Sequence, residues 1–142
     1  MLEKITRLIA EQDMCVLATV SENRPHCSLM AYVASGDGRR VFMVTSRSTK
    51  KYNNLLRNSS VSLLIDDRGA SDRAAAYALT LTGACAPMAE GDVKERARAA
   101  LVTRHPHLAR FAVHPDSDII EMEVESVLLL QGLSESYFER LD

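Results

Sequence analysis

Apolar residues recur along this chain with two periods, which predict helices and strands. At the start, Leu2, Ile5, Leu8 and Ile9 follow three- and four-residue spacing, so they share one face of a short amphipathic helix. Later segments rich in β-branched and apolar residues are separated by turn residues, which favours strands. The expected strands cover residues 15–20, 26–34, 41–45, 61–66, 76–85 and 119–125, with 127–130 continuing the last one after a bend.

The pattern becomes helical again after Gly91. Asp92 and Glu95 have the spacing of an N-terminal cap, and the Ala- and Arg-rich run that follows predicts a helix over 93–103, ending before Pro106. Shorter helices are expected over 108–113 and 134–141. Residues 67–75 are polar and contain a glycine, so we expect a mobile loop there.

No internal repeat or linker divides this order of elements, so we expect one domain covering residues 1–142. Antiparallel strands with short turn-like connections and helices at the periphery favour a small β-barrel of the α+β class, mainly β. The length and the 46% hydrophobic content are those of an ordinary globular domain.

Charge narrows the range of partners. The formal net charge is -2 and the sequence pI is about 6.1, which argues against a nucleic-acid-binding protein with a broad basic face. No apolar run is long enough to cross a bilayer, and residues 1–13 carry charges throughout, unlike a signal peptide. We therefore expect no membrane span and a cytoplasmic location.

The cysteines and histidines show no metal-binding pattern. Cys15, Cys27 and Cys85 lie far apart without a CxxC pair, so we expect buried thiols rather than disulfides or a zinc site. Three of the four histidines fall in the segment RHPHLARFAVHP, where Pro106 interrupts helical spacing and no carboxylate or cysteine pattern joins them. We expect no metal there.

The densest polar chemistry lies between residues 41 and 66, VFMVTSRSTKKYNNLLRNSSVSLLID, where two strand-like runs flank a loop and a short helix that can start at Lys50. Hydroxyls and cations beside a helix start suit a phosphate dianion, because charged donors and backbone N–H groups converge there. The alternative is a solvated basic turn. We call residues 45–51 the corner; its hydroxyls and cations belong to Thr45, Ser46, Ser48, Thr49, Arg47, Lys50 and Lys51.

The order of residues in the corner resembles the FMN-binding split-barrel family, which includes the pyridoxamine 5′-phosphate oxidases. In that family a strand ends in Thr, a Ser or Thr precedes two cations, and a helix leads past an Asn into a strand reading VSLL. The resemblance continues more diffusely over roughly residues 10–90. The matching residues here are Thr45, Thr49, Lys50, Lys51, Asn58 and 61–64.

The resemblance implies a six-stranded antiparallel split β-barrel with peripheral helices. It also implies a homodimer that binds FMN in a groove at the subunit interface, with the phosphate at the corner and the flavin ring along the second strand. For the apolar residues of that strand, the alternative is ordinary barrel core. The cofactor-binding residues expected from the resemblance are Ser28, Leu29, Met30, Val44, Thr45, Ser46, Arg47, Thr49, Lys50 and Lys51.

The chain also departs from the pyridoxamine phosphate oxidases themselves. Those enzymes carry an Arg on the second strand and a Lys at its end, where this chain has Ser28 and Val33. Their C-terminal Arg- and His-bearing segment has no counterpart in QGLSESYFERLD. Pyridoxamine phosphate oxidation is therefore not expected, and any redox chemistry would belong to the cofactor.

Three functions remain open from the sequence. The first is an FMN-dependent oxidoreductase that passes electrons or hydride to a small-molecule substrate, and the second is a non-catalytic flavin-binding protein or electron carrier. The third is a haem-binding or haem-degrading relative, which the segments LTLTGACAPM and HPDSDIIEMEV also resemble, with His105, His107 or His114 as the candidate iron ligand. A deazaflavin in place of FMN is a further variant.

Overall fold

The computed structural model describes residues 1–68, 72 and 74–142; residues 69–71 and 73, within the loop expected over 67–75, lie outside the described residues. In the described part the strands are β1 (Met14–Ser21), β2 (Arg24–Ala31), β3 (Val33–Ala34), β4 (Arg40–Ser46), β5 (Ser60–Asp66), β6 (Tyr77–Pro87), β7 (Ser117–Gln131) and β8 (Glu135–Arg140). The helices there are α1 (Leu2–Glu11), α2 (Lys50–Arg57), α3 (Asp92–Arg104), a 3-10 turn (Pro106–Leu108) and α4 (Ala109–Ala112).

The sheet curls into a split barrel because its two edges are consecutive in the chain. The strand order is β2-β1-β5-β6-β7-β4-β3, all neighbours pair antiparallel, and β8 pairs with β7. Only Tyr32 separates β2 at one edge from β3 at the other. Tyr32 is buried and its hydroxyl donates to the carbonyl of Ile9 at 2.6 Å, which anchors the crossing to α1.

The expected α+β split barrel with peripheral helices is confirmed, but the described residues form eight strands instead of six. One extra strand arises because Tyr32 interrupts the run expected over 26–34, and its last part becomes β3. The other is β8, where the helix predicted over 134–141 is wrong. Pairing of Phe138 with Leu128 and of Tyr137 with Leu129 outweighs the local preference of this segment.

Two apolar clusters hold the helices on the barrel. The larger one fills the barrel with alternate residues of its strands and is covered by α1 and α2, through Ile9 and Leu55 among others. The smaller cluster packs Ala97 and Leu101 of α3 against Val44 and Ile119 on the other side of β4 and β7. Both faces of β4, the strand that leads into the corner, are therefore covered, which makes it a rigid base for the corner.

Helix α3 begins one residue earlier than predicted and has a different cap. Its N-cap is Gly91, which provides no side-chain hydrogen bond, and Asp92 is already the first helical residue. The predicted capping role of Asp92 and Glu95 is therefore wrong. Both acids lie in the first turn, where their negative charges interact favourably with the positive end of the helix dipole.

The cysteines differ from the expectation of three buried thiols, because Cys27 on β2 is exposed. Burial raises the pKa of Cys15 and of Cys85 to about 12, so neither forms the reactive thiolate near neutral pH.

At about pH 8, we expect iodoacetamide to alkylate Cys27 in the folded protein and to spare Cys15 and Cys85. Peptide mass spectrometry reads out the sites, and protein unfolded in guanidinium, where all three should react, is the control. Fast labelling of Cys15 or Cys85 in the folded protein would contradict the burial of these thiols.

Candidate functional site

The corner joins β4 to α2 through two threonines. Thr45 is buried, and its Oγ1 lies 3.2 Å from Oγ1 of Thr49. Thr49 is the N-cap of α2: its Oγ1 accepts the N–H of Tyr52 at 3.3 Å and donates to the carbonyl of Ser46 at 2.8 Å. These bonds fix the first turn of α2 relative to the end of β4, so the N–H groups of that turn face the loop.

The two serines of the corner already have a partner. The hydroxyls of Ser46 and Ser48 both donate to Oδ2 of Asp116, the latter at 3.3 Å, and lie 2.8 Å from each other. The bond from Ser46 is the main reason that the pKa of Asp116 lies below its usual value. An anion at the corner would therefore compete with Asp116 for these two hydroxyls.

A groove of about 280 Å³ runs from the corner to β2. Its polar end is formed by the corner, and its walls are mostly apolar. Because β2 and the corner come from distant parts of the sequence, the barrel is what brings the two predicted halves of the site together. Of the ten predicted cofactor-binding residues, those that line the groove are Leu29, Met30, Val44, Thr45, Ser46, Thr49 and Lys51.

The other three predicted residues do not line the groove. Ser28 is half-buried on β2, and Lys50 is exposed at the first position of α2. Arg47 turns away: its Nη1 donates to the carbonyl of Pro115 at 2.6 Å, and its Nη2 lies 3.5 Å from Oδ2 of Asp118. Of the three cations of the corner, only Lys51 therefore faces the groove.

Lys51 is partly buried, and no carboxylate among the described residues pairs with it. Burial lowers the pKa of its ammonium, because the charged form loses water contacts without gaining a counter-ion. An anion bound in the groove would restore that lost stabilisation. The electrostatics of this end of the groove thus favour a negatively charged group.

The groove also contains residues that the sequence pattern did not identify. Met14 at the start of β1 lies opposite Ala31 of β2, so it borders the groove next to Leu29. Phe111 of α4 is partly exposed and lies on another wall. The sequence pattern offers no signal for Phe111, because its place depends on how α3 packs on β4 and α4 packs on β7.

The three clustered histidines lie in different surroundings. His105 is buried, with Nε2 2.9 Å from the carbonyl oxygen of Tyr32, and Nδ1 of His114 accepts the N–H of Asp116 at 3.0 Å. His107 is exposed and lines the groove. Across residues 1–68, 72 and 74–142, no three His, Cys, Asp or Glu side chains are grouped to hold a metal ion.

A larger cavity of about 550 Å³ adjoins the groove and shares Met14 and Leu29 with it. Asp66, Asp67 and Arg68 lie on its far side, where Nε of Arg68 bonds Oδ1 of Asp66 at 2.9 Å. This cavity is larger than the groove but lacks the corner's cations and helix start. It therefore offers space beside the groove rather than a second anion site.

Comparison with known proteins identifies the family. The family model described as pyridoxamine 5′-phosphate oxidase matches residues 1–131, which include every groove-lining residue. The chain belongs to this family. The match ends before β8, so the final strand of the sheet lies outside the part shared with the pyridoxamine 5′-phosphate oxidase model. A search of curated protein sequences gives no match.

Solved structures with the same fold carry different names. A haem-binding protein from Mycobacterium smegmatis superposes with a TM-score of 0.84 at 24% identity, over 95% of this chain and 56% of that one. HutZ, the haem storage protein from Vibrio cholerae, gives 0.72 at 18%, over 95% and 92%. A putative pyridoxamine 5′-phosphate oxidase from Listeria innocua gives 0.72 at 20%, over 90% and 96%. The chain thus spans just over half of the mycobacterial protein, and these likenesses concern the fold.

Within the described residues, no helix has both the length and the apolar character that a membrane span requires.

Proposed function

We propose that this protein binds FMN in the groove, with the phosphate at the corner and the flavin ring along β2. The observation that carries the proposal is the groove itself, which joins Lys51 and the threonine-capped start of α2 to Leu29 and Met30 on β2. A flavin mononucleotide has the same division, with a dianionic end and a large flat ring. Apolar walls with a few placed polar groups are typical of cofactor sites.

The roles of the residues follow from their chemistry. The ammonium of Lys51 and the N–H groups of the first turn of α2 would hold the phosphate, because a charge-assisted bond and a helix start both favour an anion. The exposed side chain of Leu29 would cover one face of the ring, whereas the side chain of Met30 is buried in the barrel core, so its backbone would border the ring. A deazaflavin with a similar phosphate could use the same corner.

The activity that best fits such a site is a flavin-dependent oxidoreductase acting on a small molecule. FMN itself supplies hydride or electron transfer, and the protein positions it and limits what can reach it. The cavity beside the groove has room for a substrate next to the ring. Ser28 and Val33 replace the charged residues of the pyridoxamine phosphate oxidases, so we expect a different substrate; a non-catalytic electron carrier is the alternative.

The test is the visible absorption spectrum of the protein purified without added cofactor, followed by chromatography of what denaturation releases. We expect a yellow protein that releases FMN, and reduction of the bound flavin by NADH or NADPH would favour an oxidoreductase over a carrier. Release of a deazaflavin would support the corner as the phosphate site but would mean that the bound ring is a deazaflavin. A colourless protein that also fails to bind added FMN would mean that the corner is a solvated basic turn and not a phosphate site.

Haem binding is a second candidate, and His107 is the observation that favours it. This side chain lines the groove, whereas His105 is buried against Tyr32 and His114 bonds the backbone of Asp116. The haem proteins of Mycobacterium smegmatis and Vibrio cholerae share the fold. If haem is the ligand, added haemin should give a Soret band that His107→Ala shifts or abolishes and His114→Ala leaves in place.

We further propose that the functional unit is a homodimer, as expected from the resemblance. A row of outward-facing residues crosses six paired strands, and all but the threonine are apolar. Leu29 at one end is 67% exposed and Phe138 at the other is 59% exposed, which is unusual for side chains of this size. The paired residues of the row are Leu29, Val16, Leu64, Thr80, Leu128 and Phe138.

A second copy on this row would also border the groove, because Leu29 belongs to both. We expect light scattering to give twice the 15.7 kDa of one chain. Leu64→Glu should produce monomers that bind FMN weakly, since a charge in the middle of an apolar interface is costly. Leu133→Glu, at the exposed turn before β8, is the matched control and should remain dimeric. A wild-type monomer with full FMN affinity would overturn the dimer.

A cytoplasmic location completes the proposal and agrees with the three free cysteines.

A further inference from the structure

Asp118 is a buried carboxylate directly behind the corner. It lies on β7 opposite Thr45 of β4, and its side chain is 6% exposed. Its Oδ1 is 2.8 Å from Nζ of Lys94 and accepts the N–H of Ile119 at 2.9 Å. Its Oδ2 accepts the hydroxyl of Tyr52 at 2.7 Å. The carboxylate therefore contacts α2, α3 and its own strand.

Lys94 makes the negative charge of Asp118 tolerable so close to the groove. The ammonium of Lys94 is also buried, and its second partner is Oε1 of Glu90 at 2.6 Å. Burial alone would raise the pKa of the Asp118 carboxyl, but the bonds from Lys94 and Tyr52 outweigh it and leave the pKa below its usual value. With Lys94 at one oxygen and Arg47 3.5 Å from the other, the ionised Asp118 acts as a fixed acceptor whose charge is balanced, so it does not repel an anion at the corner.

The partners of Asp118 are the groups that determine the shape of the corner. Tyr52 is in the first turn of α2, and its N–H is the one that Thr49 caps. The bond from the Tyr52 hydroxyl to Asp118 therefore fixes the helix start from behind, while Thr49 fixes it from the front. Arg47, 3.5 Å from the same oxygen, is kept out of the groove.

We propose that Asp118 is the positioning residue of the phosphate corner. It acts by holding the first turn of α2 in place through Tyr52. This inference rests on the proposed function, since it concerns the same site. Asp118 touches no part of the ligand: it sets where the N–H groups and the ammonium of Lys51 stand. Its loss should weaken contacts to the phosphate and leave contacts to the ring unchanged.

FMN and riboflavin separate these two effects, because riboflavin has the ring without the phosphate. We would titrate each flavin into the apoprotein and follow the flavin fluorescence, taking the ratio of the two affinities. In the wild-type protein we expect FMN to bind at least about tenfold more tightly than riboflavin. Asp118→Asn keeps the shape and removes the charge, and we expect this ratio to fall to about threefold or less, with riboflavin affinity unchanged.

Glu90→Gln is the matched control. It also removes a carboxylate from Lys94, but on the exposed side and away from α2, so the ratio should stay at the wild-type value. Tyr52→Phe is the second variant if Asp118→Asn does not fold, because it removes only the hydroxyl, and it should lower the ratio in the same direction.

The outcomes separate this inference from the proposed function. An unchanged ratio in Asp118→Asn, or in Tyr52→Phe where Asp118→Asn is unfolded, overturns the positioning role. Equal weakening of both flavins would mean that Asp118 supports the fold alone, which also overturns it. Equal affinity of the wild-type protein for the two flavins would support flavin binding but exclude the corner as a phosphate site, which also overturns the role of Asp118. Binding of neither flavin would remove the proposed function and this inference with it.

Discussion

The Lys51→Ala variant should bind FMN about tenfold to a hundredfold more weakly than the wild-type protein, because a charge-assisted bond to phosphate contributes about 1.5 to 3 kcal/mol. Lys51 is the cation of the corner that lines the groove, and no described carboxylate neutralises it. Its partial burial adds to the effect, since water screens a buried charge less than an exposed one. Fluorescence titration of apoprotein with FMN measures the change.

Two further variants define what the Lys51 result means. Arg57→Ala removes a cation from the last turn of the same helix, far from the helix start, and should leave the affinity within about threefold. Combining Lys50→Ala with Lys51→Ala should weaken binding little more than Lys51→Ala alone, because Lys50 is exposed and lies outside the groove. Thermal unfolding should hardly change in any of these variants, since none of the side chains belongs to the apolar clusters. Full FMN affinity in the double variant would contradict the corner as the phosphate site.

The corner is the part of the site that the sequence predicts best, because its residues are adjacent in the chain. Thr45, Thr49 and Lys51 are placed by local rules: a strand ends, a threonine caps a helix and the helix begins. The direction in which each cation points is not a local property. Arg47 and Lys51 are both predicted to bind the cofactor, yet Pro115 and Asp118 hold the first away from the groove while the second lines it.

The groove could not be predicted from spacing alone, since its two sides meet only in the folded barrel. Met30 and Val44 both line it although they lie on different strands, and Phe111 arrives from a helix far along the chain. The sequence pattern does not single out Asp118, which directly precedes the strand expected over 119–125. Its partners Lys94 on α3 and Tyr52 on α2 come from other parts of the chain and meet the carboxylate only in the folded protein.

The C-terminal segment shows the same limit for secondary structure. Residues 134–141 have a helix-compatible composition, and the pattern alone gives no reason to extend the sheet. The N-terminal half of β7 pairs with β4, which leaves the edge of its other half open, and β8 fills that edge. An open edge is costly for a sheet, so the tertiary setting decides the outcome.

Gly83 is where we expect the largest loss of stability. It lies on β6 where the register with β7 shifts, between the pairs Thr82–Ser126 and Gly83–Val124. A Cβ at this position would stand 2.0 Å from the carbonyl oxygen of Glu123, which is backbone and cannot turn aside. The bulge therefore brings the two strands closer than any other residue type would allow.

We expect Gly83→Ala to lower the free energy of unfolding by about 3 kcal/mol or more, because the strands must separate at the most extensively paired part of the sheet. That loss should lower the melting temperature by roughly 10 °C or more, measured by circular dichroism. Gly36→Ala is the matched control, since a Cβ there meets nothing within 4 Å, and it should be neutral or slightly stabilising. A Gly83→Ala protein that melts with the wild type would mean that β6 and β7 do not approach this closely.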